Sequence, residues 1–208
     1  ELDQIWITHH HADHTEAVEP LRASYGATVV GHVKDIGRLP HLDRELSEGE
    51  TVALGDTVAR VIDVSGHTIG HIAYVLDDDH IAFTADSLMA LGCGRVFEGT
   101  HQQMWQSLQK LMALPDDTRI YSGHNYGAAN GRFAASIEPA NPDLKDRIAR
   151  IEAADAAGEP IVPATLAEEL ATNPFLRATE DSVKSAVGLP GADDASVFAE
   201  IRRRKDAF

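Results

Sequence analysis

Apolar and polar positions alternate with a period of two along much of the first 124 residues, the spacing of half-buried strands. Residues 4–8 (QIWIT) predict a first strand and 27–31 (ATVVG) another. Residues 50–64 (ETVALGDTVARVIDV) alternate on both sides of Gly55-Asp56, a hairpin signal. HIAYVL (71–76) and HIAFTAD (80–86) flank three aspartates and predict a second hairpin, and RIYSG (119–123) predicts a last short strand. Helical spacing interrupts twice. Residues 15–26 read as a helix closed by Gly26. Residues 100–114 put Met104, Leu108, Leu111 and Met112 on one face, with Thr100 as N-cap and Pro115 as a stop.

After His124 the texture becomes helical. Pro142 takes a first helical position ahead of a run that Gly158 ends, TLAE (165–168) matches a capping box, and residues 193–208 close the chain as a helix. The pattern predicts two units, a strand-rich one over 1–124 and a helical one over 125–208.

Composition narrows the partners. A length of 208 residues with 43% hydrophobic content supports a real core. A formal net charge of -15 argues against nucleic acid or an anionic membrane as a partner. The one cysteine, Cys93, forbids an intrachain disulfide and predicts a reducing, cytoplasmic setting. Its neighbours Gly92 and Gly94 suggest a tight loop, so a structural role is expected for it. No apolar run reaches 18 residues, so no transmembrane helix is expected, and no signal peptide is apparent. Residue 1 is Glu and an apolar strand follows almost at once, so N-terminal strands are expected to be missing from this chain.

The stretch ITHHHADHT (7–15) carries the candidate chemistry. Extended backbone turns residues i and i+2 to one side, so His9 and His11 can hold one cation while His10 points away. Asp13 and His14 follow where the chain enters a helix and can face a second. Three further donors are expected at strand ends: His67 in VSGHTIGH, Asp86 in AFTADSL and His124 in YSGHNY. Histidine and carboxylate donors suit Zn, Fe or Mn. His32, His41, His80 and His101 are expected to be solvated, and His71 to open a strand with a supporting hydrogen bond near the site.

THHHADH, SGHTIGH, FTADSL and SGHNY, in this order, resemble the metallo-β-lactamase superfamily. GCGRVFEGT (92–100) and the terminal RRRKDAF narrow the resemblance to the glyoxalase II (hydroxyacylglutathione hydrolase) family, over essentially the whole chain. The resemblance implies an α/β (α+β) fold, an αββα sandwich followed by a C-terminal helical domain that helps to bind substrate. It implies two divalent metal ions, most readily Zn: His9, His11 and His67 on one, Asp13, His14 and His124 on the other, with Asp86 bridging. No side chain is then the nucleophile; a hydroxide shared by the cations would attack a thioester carbonyl. The implied substrate is S-lactoylglutathione, cleaved to glutathione and D-lactate in methylglyoxal detoxification.

Arg95, Phe97, Tyr126, Arg202 and Lys205 match substrate positions. Arg202 and Lys205, one turn apart, would hold the glycine carboxylate of glutathione. Ala12, Ala85, Phe97 and Asn125 depart from the usual family residues without removing a ligand, and Phe97 stands where a tyrosine is common. A persulfide dioxygenase, which keeps one iron on a reduced ligand set, fits the seven donors less well, as does a non-catalytic metal protein. A monomer is expected.

Overall fold

The computed structural model describes residues 1–208, and its strand periodicity resolves into two stacked sheets. Strands β1 (Gln4–Trp6), β2 (Thr28–His32) and β3 (Arg44–Leu46) form a parallel sheet in that order. The second sheet runs through β4 (Thr51–Leu54), β5 (Thr57–Asp63), β6 (Ile72–Leu76) and β7 (Ile81–Ala85), antiparallel throughout. A small hairpin follows, β8 (Leu88–Met89) with β9 (Gly92–Cys93). Strand β10 (Arg119–Ser122) then pairs parallel to β7, and β11 (Ala164–Thr165) adds an antiparallel edge to β10.

Alternation along each strand assigns the layers. On β6, Ile72, Tyr74 and Leu76 meet Val30 and Leu46 of the first sheet, while Ala73 and Val75 point to the other face and its helices. Helix α1 (Ala12–Thr15) is a single turn, and α2 (Val18–Tyr25) covers the outer face of the first sheet through Val18, Val29, Ile7 and Leu42. Helix α3 (His101–Met112) covers the second sheet with Met104, Trp105, Leu108 and Leu111. The result is helix, sheet, sheet, helix, the expected αββα sandwich.

The remaining helices are α4 (Gly127–Ile137), α5 (Pro142–Ala157), α6 (Leu166–Thr172), α7 (Asp181–Ala186) and α8 (Asp194–Ala207). Phe133, Phe175 and Phe198 from this region share one apolar cluster with Ile62, Val75 and Ile120 of the sheet. Capping boxes start α3 (Thr100 with Gln103) and α6 (Thr165 with Glu168), and Asn141 caps α5 ahead of Pro142. No helix is long and apolar enough to cross a membrane.

One expectation is corrected. The helix read over 15–26 is broken into α1 and α2, and the second part begins only at Val18. Pro20 is the reason: a residue without an N–H fits the first turn of a helix and not its interior. The helix end at Gly26 stands.

A buried ionic pair ties the β8–β9 hairpin to the helices. The Arg147 guanidinium meets the Glu169 carboxylate, and Arg147 Nη1 also donates to Thr172 Oγ1 at 2.7 Å. Glu169 in turn accepts from the backbone N–H of Leu91 at 3.1 Å and from Asn173 Nδ2 at 2.9 Å. Removing one partner of a buried pair strands the other charge, whereas replacing both by apolar residues of similar size is far milder. Glu169→Ala is therefore expected to cost about 3–5 kcal/mol, and Arg147→Met/Glu169→Leu clearly less. Equilibrium denaturation of both variants checks this, and equal losses would refute it.

Candidate metal centre

The loops after β1, β5, β7 and β10 all open on one rim of the sandwich, and each delivers a donor there. His9 and His11 follow β1, His67 follows β5, Asp86 immediately follows β7, and His124 follows β10. Helix α1 supplies Asp13 and His14 within one turn.

The donors form two groups, in each of which the candidate ligand atoms lie within 4.8 Å of one another: His9, His11, His67 and Asp86; and Asp13, His14 and His124. In the first, His11 Nδ1 stands 3.1 Å from His9 Nε2 and 3.1 Å from His67 Nε2. In the second, His124 Nε2 lies 3.3 Å from His14 Nε2 and 3.2 Å from Asp13 Oδ2. The Asp86 carboxylate touches both groups. Its Oδ2 is 3.5 Å from His67 Nε2 and 3.3 Å from His124 Nε2, and its Oδ1 is 3.5 Å from His14 Nε2. The structure thus brings all seven sequence-predicted donors together.

This donor set fits divalent cations on physical grounds. The outward nitrogen of His67, Nδ1, faces the Arg95 carbonyl at 2.8 Å and must carry the proton, which leaves Nε2 with a lone pair aimed inward. His9 likewise pairs its Nδ1 with Thr8 Oγ1 at 3.1 Å. Burial holds His9, His11 and His67 below the usual histidine range, which favours the neutral, metal-binding form. Burial works to raise Asp86, but the hydrogen bond and charge of His14 outweigh it and keep the carboxyl below the usual carboxylate range, so it remains an anion. Asp86 Oδ1 is buried without a hydrogen-bond partner. A cation satisfies that oxygen and the converging lone pairs at once.

Backbone geometry aims Asp86. Ala85 before it adopts φ 43°, a left-handed conformation that costs a non-glycine residue roughly 1–2 kcal/mol. Gly123 makes room beside it: a Cβ there would lie 2.5 Å from Asp86 Oδ1 and 2.8 Å from His14 Cε1.

His71 is the buried support expected of it. Its ring stacks on His9 at 4.5 Å, its Nε2 accepts the Asp86 backbone N–H at 3.3 Å, and burial pushes its pKa down to about 3. His32 corrects the sequence reading. It is buried, with Nδ1 facing the Gly70 carbonyl at 3.1 Å, because the end of β2 tucks beneath the 67–71 loop.

A cavity of about 420 Å³ opens beside the donors. It is lined by five of the seven and by all five candidate substrate residues, Arg95, Phe97, Tyr126, Arg202 and Lys205. The Phe97 ring lies 5.3 Å from that of His67, and Tyr126 stacks on His124 at 5.1 Å. Lys205 donates to the Ala129 carbonyl at 3.2 Å and sits over the Phe133 ring. Arg202 is the exception to an open, solvent-facing cation: it is buried, donates to the Cys93 carbonyl at 3.0 Å and to Asp206 Oδ1 at 2.8 Å. Asp206 Oδ1 also meets Arg95 Nε at 3.3 Å. Burial raises the Cys93 thiol to about 11, in keeping with a structural cysteine. Sequence reading missed Ala129 and Asn130, which also line the cavity. Their i+3 and i+4 spacing from Tyr126 was the available signal.

Comparison with known proteins identifies the family. The model described as the metallo-beta-lactamase superfamily matches residues 1–124, and that described as hydroxyacylglutathione hydrolase C-terminus matches 125–208. A hydroxyacylglutathione hydrolase of Cereibacter sphaeroides is 59% identical over 207 residues, covering 100% of this chain and 81% of the relative. One of Roseobacter denitrificans is 55% identical over 208 residues, covering 100% and 82%. Among solved structures, ETHE1 from Myxococcus xanthus aligns with a TM-score of 0.62 at 27% identity, covering 99% of this chain and 77% of that one. The chain belongs to the hydroxyacylglutathione hydrolase family of the metallo-β-lactamase superfamily.

Proposed function

We propose that this chain hydrolyses S-(2-hydroxyacyl)glutathione thioesters, S-lactoylglutathione among them, to glutathione and a 2-hydroxy acid. The observation that carries the reading is a cavity lined by Arg95, Arg202 and Lys205 that opens onto five of the seven convergent donors. His9, His11 and His67 would hold one divalent ion, Asp13, His14 and His124 a second, and Asp86 would serve both; Zn suits these donors, as do Fe and Mn. Bound ions supply Lewis acidity and a water nucleophile active at neutral pH.

The protein's own part is binding and orientation. Phe97 and Tyr126 pack against His67 and His124 at the cavity wall, where their rings would meet the substrate. Lys205 offers a cation to a glutathione carboxylate from the cavity wall, while Arg202, paired with Asp206, ties the α8 end to the Cys93 carbonyl. The thiolate leaves readily, so no strong protein acid is needed at the sulfur. Residues 125–208 act here as the substrate-binding part and residues 1–124 as the catalytic part. Assay of S-lactoylglutathione cleavage by metal-loaded protein tests the reading; absence of cleavage would overturn it.

Two expected outcomes follow from the residue roles. Asp86→Ala removes the carboxylate shared by both groups, so metal content should fall below two ions per chain and turnover should collapse. Elemental analysis beside the thioester assay checks this, and retention of both ions with near-normal turnover would contradict it. Lys205→Gln should raise KM about tenfold or more at unchanged kcat, since a charge-assisted hydrogen bond contributes roughly 1.5–3 kcal/mol equally to bound substrate and transition state.

Lys205 also sets a pH dependence. Burial, then the charges of Arg202 and Arg132, hold its pKa below the usual lysine range. Its charge is present below that lowered pKa and is lost as pH rises through it. KM should therefore climb on the alkaline side in the natural protein and stay flatter in Lys205→Gln. Parallel KM–pH profiles in the two proteins would exclude Lys205 as the carboxylate partner.

A further inference from the structure

Outside the seven donors lies a ring of four charged or polar side chains. His10, between ligands His9 and His11, places Nδ1 3.1 Å from Asp35 Oδ2 and Nε2 3.5 Å from Glu98 Oε1. The Arg38 guanidinium joins the two carboxylates: it pairs with Asp35 and with both oxygens of Glu98, the second at 3.1 Å. The Asp35 side chain is fully buried. It fills the space over Gly70, where a Cβ would fall 2.0 Å from Asp35 Cγ. A buried carboxylate is costly unless its oxygens are occupied, and His10 and Arg38 occupy them.

The ring reaches every segment that carries the three-histidine group. Asp35 holds the His9–His11 stretch through His10. Glu98 Oε2 accepts the backbone N–H of Ile69, two residues beyond His67, at 2.9 Å. Glu98 also follows Phe97, whose ring packs on His67 and His11, and lies in the same loop as Arg95, whose carbonyl orients His67. No hydrogen bond or ion pair runs from Asp35, Arg38 or Glu98 to Asp13, His14 or His124.

We propose that Arg38, Asp35 and Glu98 are positioning residues that pre-set the His9–His11–His67 half of the centre, so that this half and not the other depends on them for metal affinity. The inference rests on the divalent-metal reading of the site. It predicts an asymmetry that general loosening of the fold would not produce.

Protein labelled with ¹⁵N-histidine, stripped of metal, would be titrated with Zn²⁺ buffered by a chelator. Ring signals of His9, His11 and His67 report one half, and those of His14 and His124 the other. In Arg38→Ala the first set should need about 10–100-fold more free Zn²⁺, the usual effect of losing a partner that supports metal ligands, while the second set keeps its midpoint. Arg38→Lys retains the charge but not the two-pronged fork and should fall between. Arg60→Ala, which removes the exposed pair with Asp77, is the control and should move neither set. Glu98→Gln breaks the ion pair alone and should shift the first set in the same direction, which gives a second route if Arg38→Ala folds poorly. Equal shifts of both sets, or no shift in either, would overturn the proposal. The titration contains no substrate, so its result stands apart from that of the thioester assay.

Discussion

Three imidazole nitrogens, His9 Nε2, His11 Nδ1 and His67 Nε2, converge with 3.1 Å between neighbours, and the single N–H that His11 can place there serves only one of the two contacts well. A neutral imidazole has one N–H, and that of His67 is directed outward to the Arg95 carbonyl. Lone pairs left facing one another repel, and the buried, unpartnered Asp86 oxygen adds an anion to the same space. A positive charge at the centre removes all of these penalties together. The arrangement is therefore unfavourable without a cation and favourable with one, and the surrounding fold has to supply the rigidity that keeps it assembled.

Two stacked sheets provide that rigidity. Four strands end on one rim, and side chains at strand ends are located by packed cores such as Val30, Leu46, Val61 and Tyr74 between the sheets. The helical region completes the cavity from the other side through Tyr126, Arg202 and Lys205. Arg95, Arg202 and Lys205 line that cavity beside the Asp13 and Asp86 carboxylates, so the charge there is far closer to balance than the net charge of -15 over the whole chain. Screening by dissolved salt weakens carboxylates beyond a Debye length more than it weakens the cations at the cavity itself.

What the sequence made legible were the features written in short-range patterns. Capping residues Thr100 and Thr165, the first-turn Pro142, the helix ends Gly26 and Gly158, and both hairpins depend on neighbours a few positions away. The seven donors were legible because four crowd one stretch and the others sit at strand ends. Features made by distant partners were hidden. Strands β3, β8, β9 and β11 are two or three residues long, too short to show a period. The burial of His32 and the enclosure of Arg202 by Asp206 and the Cys93 carbonyl arise from loops that meet only in the folded chain.

Strand β11 bears on the order in which the chain can fold. Ala164–Thr165 pairs with Ile120 and Arg119, and so covers an edge of the larger sheet with residues that lie some distance along the chain. During synthesis β10 emerges well before its edge partner, and the apolar face behind it waits still longer for Phe175 and Phe198. Until then an unpaired strand edge and an uncovered core face are open to other chains, a combination that invites intermolecular pairing. Final closure of the larger sheet thus belongs to the late-emerging part of the polypeptide, and a truncation placed between the strand-rich and helical stretches would yield an aggregation-prone fragment instead of a smaller stable domain.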